Sequence, residues 1–236
     1  MTKYEEIAQD IRNNIMNGKY KINQQLPLEK EMCEHYNVSR ITIKKAVDEL
    51  VNDGLVVKRR GAGTFVKDLD STEAKELTMS RQFSGFSDEH KQNSVKSKII
   101  KFEVINPTAE IADKLRITTE DFVYHIIRVR YSDDLPMVVE YTYMPISLIP
   151  GIKNDVLEKS IYSYIQNSLK LKIKSAHRTI KAIVPNNLEQ KHLEIDKSFP
   201  ILEVEQVGFL DNGKAFEYSK SHHRGDRIEF RTISIR

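Results

Sequence analysis

A single cysteine, Cys33, and no tryptophan occur in this chain of 236 residues. One thiol cannot form an intrachain disulfide, the usual staple of a small exported domain. Long apolar runs are missing as well. The longest charge-free stretch, Tyr141 to Ile152, holds twelve residues and is broken by prolines, too short to span a bilayer. No apolar signal region opens the sequence, so a cytoplasmic protein without a membrane partner is expected. The common enzyme signatures are also missing. There is no Gly-x-Ser-x-Gly and no Walker-type phosphate loop, and Val66 stands where Gly61-x-Gly63 would need its third glycine. The seven histidines lack metal-ligand spacing, and neighbours His222 and His223 on a predicted strand would point to opposite faces. No catalytic residue, metal or cofactor is expected, and Cys33 reads as a small core residue.

Length allows two domains with ordinary cores. A net charge of +3 says little, but its distribution says more. Residues 1–38 carry 5 Lys and Arg against 6 Asp and Glu, whereas residues 39–67 carry 7 against 3. The excess begins at Val38-Ser39-Arg40-Ile41-Thr42-Ile43-Lys44-Lys45-Ala46-Val47. Ser39 is a good N-cap, and Ile43, Ala46, Val47, Leu50 and Val51 recur at helical spacing. Arg40, Thr42, Lys44 and Lys45 are left on the other side or at the exposed start. Such a helix fits the major groove of DNA, where Arg grips guanine and Ser, Thr and Lys hold bases or phosphates. Alone, the pattern equally fits an amphipathic helix with a solvated basic face.

The neighbouring stretches decide between them. Tyr4, Ile7, Ala8, Ile11 and Ile15 form a helical stripe that stops at Gly18. Pro27 is placed to start a second helix, with Met32, Cys33 and Tyr36 as its apolar residues and a turn at Asn37. Helix, turn and reading helix follow in order. After Asp53-Gly54, strands over Leu55–Lys58 and Thr64–Lys67 flank the tip Arg59-Arg60-Gly61-Ala62-Gly63. A basic, glycine-rich tip can lie against a minor groove. Substitution at exposed Gly61 is expected to weaken DNA binding and leave stability almost unchanged.

Residues 1–67 thereby resemble the winged helix-turn-helix domain of the GntR family of bacterial transcription regulators. The landmarks are Leu26-Pro27-x-Glu29-x-Glu31, Ser39-Arg40-x-Thr42, Ala46-x-x-Leu50, Gly54-Leu55 and Gly61-x-Gly63-Thr64-Phe65-Val66. Leu28 stands where a Ser is usual, and Lys30 and Lys44 where Arg is usual. The expected DNA-contacting set is Lys30, Ser39, Arg40, Thr42, Lys44 and Lys45, with Lys58, Arg59, Arg60 and Gly61 of the wing. The expected partner is double-stranded operator DNA, bound by a homodimer, because one short winged helix meets too few bases to be selective.

Residues 68–80 are polar and weakly periodic, a linker candidate. From residue 81 strands and helices mix. Strands are expected at Val95–Ile105, Phe122–Tyr131, Met137–Met144, Ala176–Val184, Ile201–Leu210 and Lys214–His222, with a last one at Ile228–Ile235. Helices are expected after Pro107 and at Ser160–Leu169 and Asn186–Leu193. The turns Asp133-Asp134 and Asp211-Asn212-Gly213 make hairpins. The fold class is α+β, with a largely antiparallel sheet in residues 81–236.

Arg128 and Arg130 lie two apart on one strand and emerge on the same face about 7 Å apart. Guanidiniums held so closely repel each other unless an anion sits between them, and phosphate suits their paired donors. Two solvent-facing arginines on an edge strand would give the same spacing. Ser160 and Tyr162 open a helix whose free N–H groups also favour an anion. Glu140 and Glu217 are acceptors suited to hydroxyl or amino groups of a sugar, or plain surface carboxylates.

Six short motifs in order make this half similar to the UTRA effector-binding domain of the HutC-like branch of the GntR family. They are Phe83-Ser84-Gly85-Phe86, Arg128-Val129-Arg130, Pro136-x-x-x-Glu140, Ser160-Ile161-Tyr162, Phe216-Glu217-Tyr218 and Arg224-Gly225-Asp226-Arg227. The resemblance implies a fold related to chorismate lyase that binds small molecules without a reaction. It also implies that Arg128, Arg130, Ser160 and Tyr162 hold a phosphate, with Ser84-Gly85-Phe86 closing over it. Glu140 and Glu217 would read the sugar end, and His223 stands where relatives often have Tyr. The expected function is a regulator, with repression as its expected sign, controlled by a phosphorylated sugar. A carboxylate or histidine-pathway metabolite is the runner-up effector. An enzyme acting on a phosphosugar ranks below, as does a DNA-binding protein with no ligand.

Overall fold

The computed structural model describes residues 2–69, Phe86, His90 and residues 93–230. They fall into two compact units, the first of residues 2–69 with Phe230 and the second from Phe86 to Glu229. Most of the expected linker, together with Ser84 and Gly85, lies outside the described residues.

In the first unit, helix α1 (Lys3–Met16) buries Ile7, Ala8 and Ile11 at the spacing of one helix face. Gly18, at φ +72°, ends it. Helix α2 (Glu29–Tyr36) begins two residues after Pro27, so the proline precedes the N-cap instead of opening the helix. Glu31 accepts the Leu28 N–H at 2.7 Å, half of a capping box that the apolar Leu28 side chain cannot complete. Asn37 takes the left-handed φ of 51° and turns the chain into α3 (Arg40–Asn52), capped by Ser39. Ile43, Ala46, Val47 and Leu50 of α3 join Ile7, Ala8, Ile11 and Met32 in one core, with Cys33 packed at its margin.

Buried Arg12 donates to Asp53 at 2.5 Å and Glu49 at 3.3 Å, tying α1 to the end of α3. Strands β1 (Val56–Arg59) and β2 (Gly63–Val66) pair antiparallel, Arg59 facing Gly63. Gln25 bridges to Phe65, and the Leu26 N–H donates to Thr64 O at 2.8 Å. The wing is thereby anchored to the chain just before α2. This is a winged helix-turn-helix.

The second unit is built on six strands in the order β3-β4-β5-β8-β7-β6, every neighbouring pair antiparallel. They are β3 (Val95–Ile105), β4 (Val123–Ser132), β5 (Leu135–Pro145), β6 (Ile173–Ile183), β7 (Ile201–Leu210) and β8 (Ala215–Arg224). Asp133 and Asp134 both take positive φ, 49° and 63°, the backbone a two-residue hairpin requires. Helices α4 (Ala109–Leu115) and α7 (Asn187–Leu193) cover one face through Ile111, Leu115 and Leu193. Helices α5 (Asn154–Leu157) and α6 (Ile161–Asn167) cover one end of the other, packing on Tyr124, Ile126 and Met144.

Three expectations change. The helix from Ser160 is shorter, with Ser160 as its cap, because it closes at Ser168 and runs on into β6. Helix α5 was not foreseen, since four residues give too little periodicity to notice. Residues 228–230 form no strand, and the rest of the expected last strand lies outside the described residues.

Candidate functional site

Arg40 stands at the exposed start of α3, and its Nε donates to Glu29 Oε2 at 2.8 Å. Glu29, from the Leu-Pro-x-Glu stretch, thus holds the arginine in place across the helix-turn-helix. Ser39 Oγ and Thr42 Oγ1 lie 2.9 Å apart, and the Thr42 N–H donates to Ser39 Oγ. Their hydroxyls therefore serve the cap as well as any ligand. Lys30, Lys44 and Lys45 are exposed. In the wing, Lys58 pairs with Asp48 at 2.5 Å and the Arg59 guanidinium stacks 4.5 Å over the Phe65 ring. Arg60 and Gly61 form the open tip. The structure brings all ten expected DNA-contacting residues onto one small unit, and adds Glu29 as the partner that orients Arg40.

In the second unit, cross-strand register gathers a polar belt on one sheet face. Arg128 lies opposite Glu140, and Glu140 opposite Ser221; Arg130 lies opposite Val138, and Val138 opposite His223. Thr142, Ser219, Gln206 and Arg178 make the next row. Arg128 and Arg130 are buried, not solvent-facing. The negative charge between them is Glu140, whose Oε2 lies 2.7 Å from Arg128 Nη2 and 3.6 Å from Arg130 Nη1. Burial works against its ionisation, but the two guanidiniums hold its carboxyl below the usual range. Glu140, expected at a sugar end, is in this structure the counter-ion of the arginine pair.

Arg128 is further committed, with Nη1 donating to Leu157 O at 2.9 Å and Lys159 O at 3.4 Å. The guanidinium of Arg130 stacks 4.9 Å over the Phe86 ring, which in turn stacks on His90. Ser160 caps α6 by accepting the Ser163 N–H, directly after the Lys159 carbonyl that Arg128 holds. Ser84 and Gly85, expected to close over the site, lie outside the described residues.

Tyr162 joins the Glu217 end of the belt. Gln206 Nε2 donates to Tyr162 Oη and to Glu217 Oε1, both at 3.0 Å, while Gln206 Oε1 accepts from Arg178 Nε at 2.7 Å. Ser219 Oγ donates to the same carboxylate at 2.7 Å. Burial pushes the Glu217 carboxyl up against these donors, and burial with the Glu217 charge pushes up the Tyr162 hydroxyl. His223 is pushed down to about 4 by burial, so it is neutral at pH 7 although Glu140 is near. Gln206, Ser219 and Arg178 were missed because nothing in a lone strand marks which polar residues its neighbours will face. Only the alternation along β7 and β8, combined with their register, reveals them.

On the opposite face His222 lies between two buried carboxylates, Glu189 at 2.8 Å and Glu203 at 2.9 Å, which pins α7 to the sheet. His222 and His223 thus point apart, as the strand alternation requires. Among the described residues no cluster of His, Cys, Asp and Glu could hold a metal ion.

A winged helix-turn-helix with a basic reading helix, followed by an antiparallel α+β unit with a buried polar belt, defines the class of ligand-responsive DNA-binding regulators. The comparisons with known proteins make this specific. Residues 3–66 match the bacterial regulatory proteins of the gntR family, and residues 90–229 match the UTRA domain. The chain belongs to the GntR family of transcription regulators, with the UTRA domain that fits its HutC-like branch. These are families of regulators, not of enzymes.

It is 44% identical over 236 residues to the HTH-type transcriptional regulator GmuR of Bacillus subtilis (strain 168), covering 100% of both chains. It is 32% identical over 233 residues to the mannosyl-D-glycerate transport/metabolism system repressor MngR of Escherichia coli (strain K12), covering 99% of this chain and 96% of that one. Identity to the transcriptional repressor NagR of Bacillus subtilis (strain 168) is 30% over 229 residues, 96% of this chain and 92% of that one. Among solved structures, the possible transcriptional regulator YydK from Bacillus subtilis superposes with a TM-score of 0.77 at 27% identity, covering 100% of both chains. Among the described residues no helix is long and apolar enough to cross a membrane.

Proposed function

We propose that this chain is a cytoplasmic repressor that binds a near-palindromic operator as a homodimer and releases it when a phosphorylated sugar occupies the polar belt of the second unit. The observation that carries this reading is the arginine pair. Two buried guanidiniums flank the Glu140 carboxylate, and their planar donors on one sheet face suit an anion. Arg130, Arg128 and the Ser160 end of α6 hold the phosphate. Glu217, Gln206, Ser219 and Tyr162 offer acceptors and donors suited to sugar hydroxyls, with Arg178 behind them and neutral His223 beside Glu140. The relatives named above include a repressor of a mannosyl-D-glycerate system, and others are probable repressors of fructoselysine utilisation operons. Those names support a sugar-linked effector here.

Dimerisation is supported by β6. Its burial pattern is largely exposed, and among the described residues nothing pairs with its outer edge. An exposed edge eleven residues long invites pairing with a second copy. On the DNA side, Arg40 and the lysines of α3 enter the major groove while Arg59, Arg60 and Gly61 approach the minor groove.

The test is thermal stabilisation of the purified chain by a panel of sugar phosphates, the parent sugars and carboxylates, histidine-pathway compounds among them. A rise in Tm with one or a few sugar phosphates, and none with their parent sugars, is the expected result. Stabilisation by carboxylates alone would transfer the site to the other effector class.

A further inference from the structure

The outward stripe of α3 contains one residue that phosphate binding does not use. Ile41 is 70% exposed, the second residue of the helix, directly after Arg40. Lys44 and Lys45, three and four positions on, are its neighbours on the helix surface and are also exposed. Leu28, 54% exposed, lines one groove with Arg40, so a second open aliphatic side chain stands near the reading arginine. Single exposed aliphatics are ordinary on protein surfaces. This one is set apart by its company, because the cations around it bring a polyanion, and not solvent alone, against the same stripe.

We propose that Ile41 is a sequence-reading residue that packs against the C5-methyl group of a thymine in each half-site, next to the base gripped by Arg40. The major groove presents only one apolar feature, the thymine methyl, and an aliphatic side chain between basic neighbours is complementary to it. Lys44 and Lys45 meet phosphates and supply affinity without sequence information, whereas Ile41 supplies discrimination without charge. A β-branched side chain suits this task, since its χ1 is nearly fixed in a helix and little freedom is lost on contact. The inference rests on the major-groove reading of α3 proposed above.

The experiment uses the full chain and an operator selected by it from a randomised duplex pool. Each thymine is then replaced in turn by deoxyuridine, which removes the methyl group and keeps every hydrogen-bonding atom. One thymine per half-site is expected to show a loss of about fourfold on replacement, the value of one buried methyl. Ile41→Ala should lose a similar factor on the thymine operator and be indifferent to deoxyuridine at that position. Salt dependence should be the same for both proteins, because no phosphate contact changes. If wild type selects an operator but no deoxyuridine matters, or if Ile41→Ala keeps the full deoxyuridine effect, the inference is overturned while the groove reading stands. If wild type selects no sequence at all, the groove reading itself fails.

Discussion

Arg128 and Arg130 look interchangeable in sequence, two equal charges on one strand, but their surroundings separate their roles. Arg128 holds two main-chain carbonyls and Glu140, so its guanidinium is part of the fold. Removing it leaves a buried carboxylate and two acceptors short of a donor. Arg128→Ala is therefore expected to cost about 3–5 kcal/mol, read by urea denaturation, and to be useless as a clean test of ligand binding. Arg130 makes the longer contact to Glu140 and stacks on Phe86, and Arg130→Ala leaves Glu140 its 2.7 Å partner Arg128, so the fold is expected to survive. The anion expected between the arginines is partly a side chain of the protein itself. Spacing along β4 announced that a negative charge belonged there; only the β4–β5 register says that Glu140 supplies one.

His223 gives a pH signature. Its folded value near 4 lies below that of an unfolded histidine, so between those values the unfolded chain binds more protons. Stability from this group is complete above about pH 6.5 and is lost as pH falls towards 4, on the order of 3 kcal/mol. His223→Asn should flatten that part of the stability curve relative to wild type, measured by denaturation at stepped pH. An unchanged slope would place the titration on another group.

Elements were read more securely than the contacts between them. Among the described residues, the three helices of the first unit and the six strands of the second follow from apolar spacing and turn residues, because local patterning marks them. Boundaries moved where the chain changes direction by capping, as at Leu28 and Ser160, and where an element is a single turn, as in α5. The wing shows how an element-scale reading changes. Gly61 faces open space, but its φ of +75° strains any side chain, so Gly61→Val should cost about 1–2 kcal/mol of stability, contrary to the neutral tip expected from sequence.

Gly63 is the crowded position. It has φ +115°, and a Cβ there would run into Gln25 Nε2, the side chain that ties the wing tip to the rest of the unit through Ala62 O. Gly63→Ala is expected to lower operator affinity more than Gly61→Ala, with the larger loss of thermal stability as well. Equal behaviour of the two would remove Gln25 from the anchoring of the wing. On α3, Arg40→Ala is expected to cost about 1–3 kcal/mol in operator binding and to relax preference at one base. Arg59→Ala should weaken all duplexes alike and flatten the salt dependence.

For the whole molecule the two units carry separate chemistry, and linkage is what joins them. A ligand shifts the DNA-binding equilibrium only by its difference in affinity for the two states, typically about 1–3 kcal/mol. In the function proposed above, that difference originates in the belt of the second unit and is expressed at α3 of the first. The division into a DNA-binding half and a ligand-binding half was legible in composition and motif order. The ligand end was less so, because Gln206, Ser219 and Arg178 enter the belt through strand pairing alone.

The most direct measurement is operator affinity of wild type and Arg130→Ala, each titrated with the sugar phosphate that stabilises wild type. Wild type is expected to lose affinity about 5–150-fold on saturation. Arg130→Ala should bind the operator as tightly as wild type without ligand and stay bound at concentrations that release wild type. Release of the variant at the same concentrations would contradict the arginine site, and loss of its operator binding without ligand would contradict the separation of the two halves.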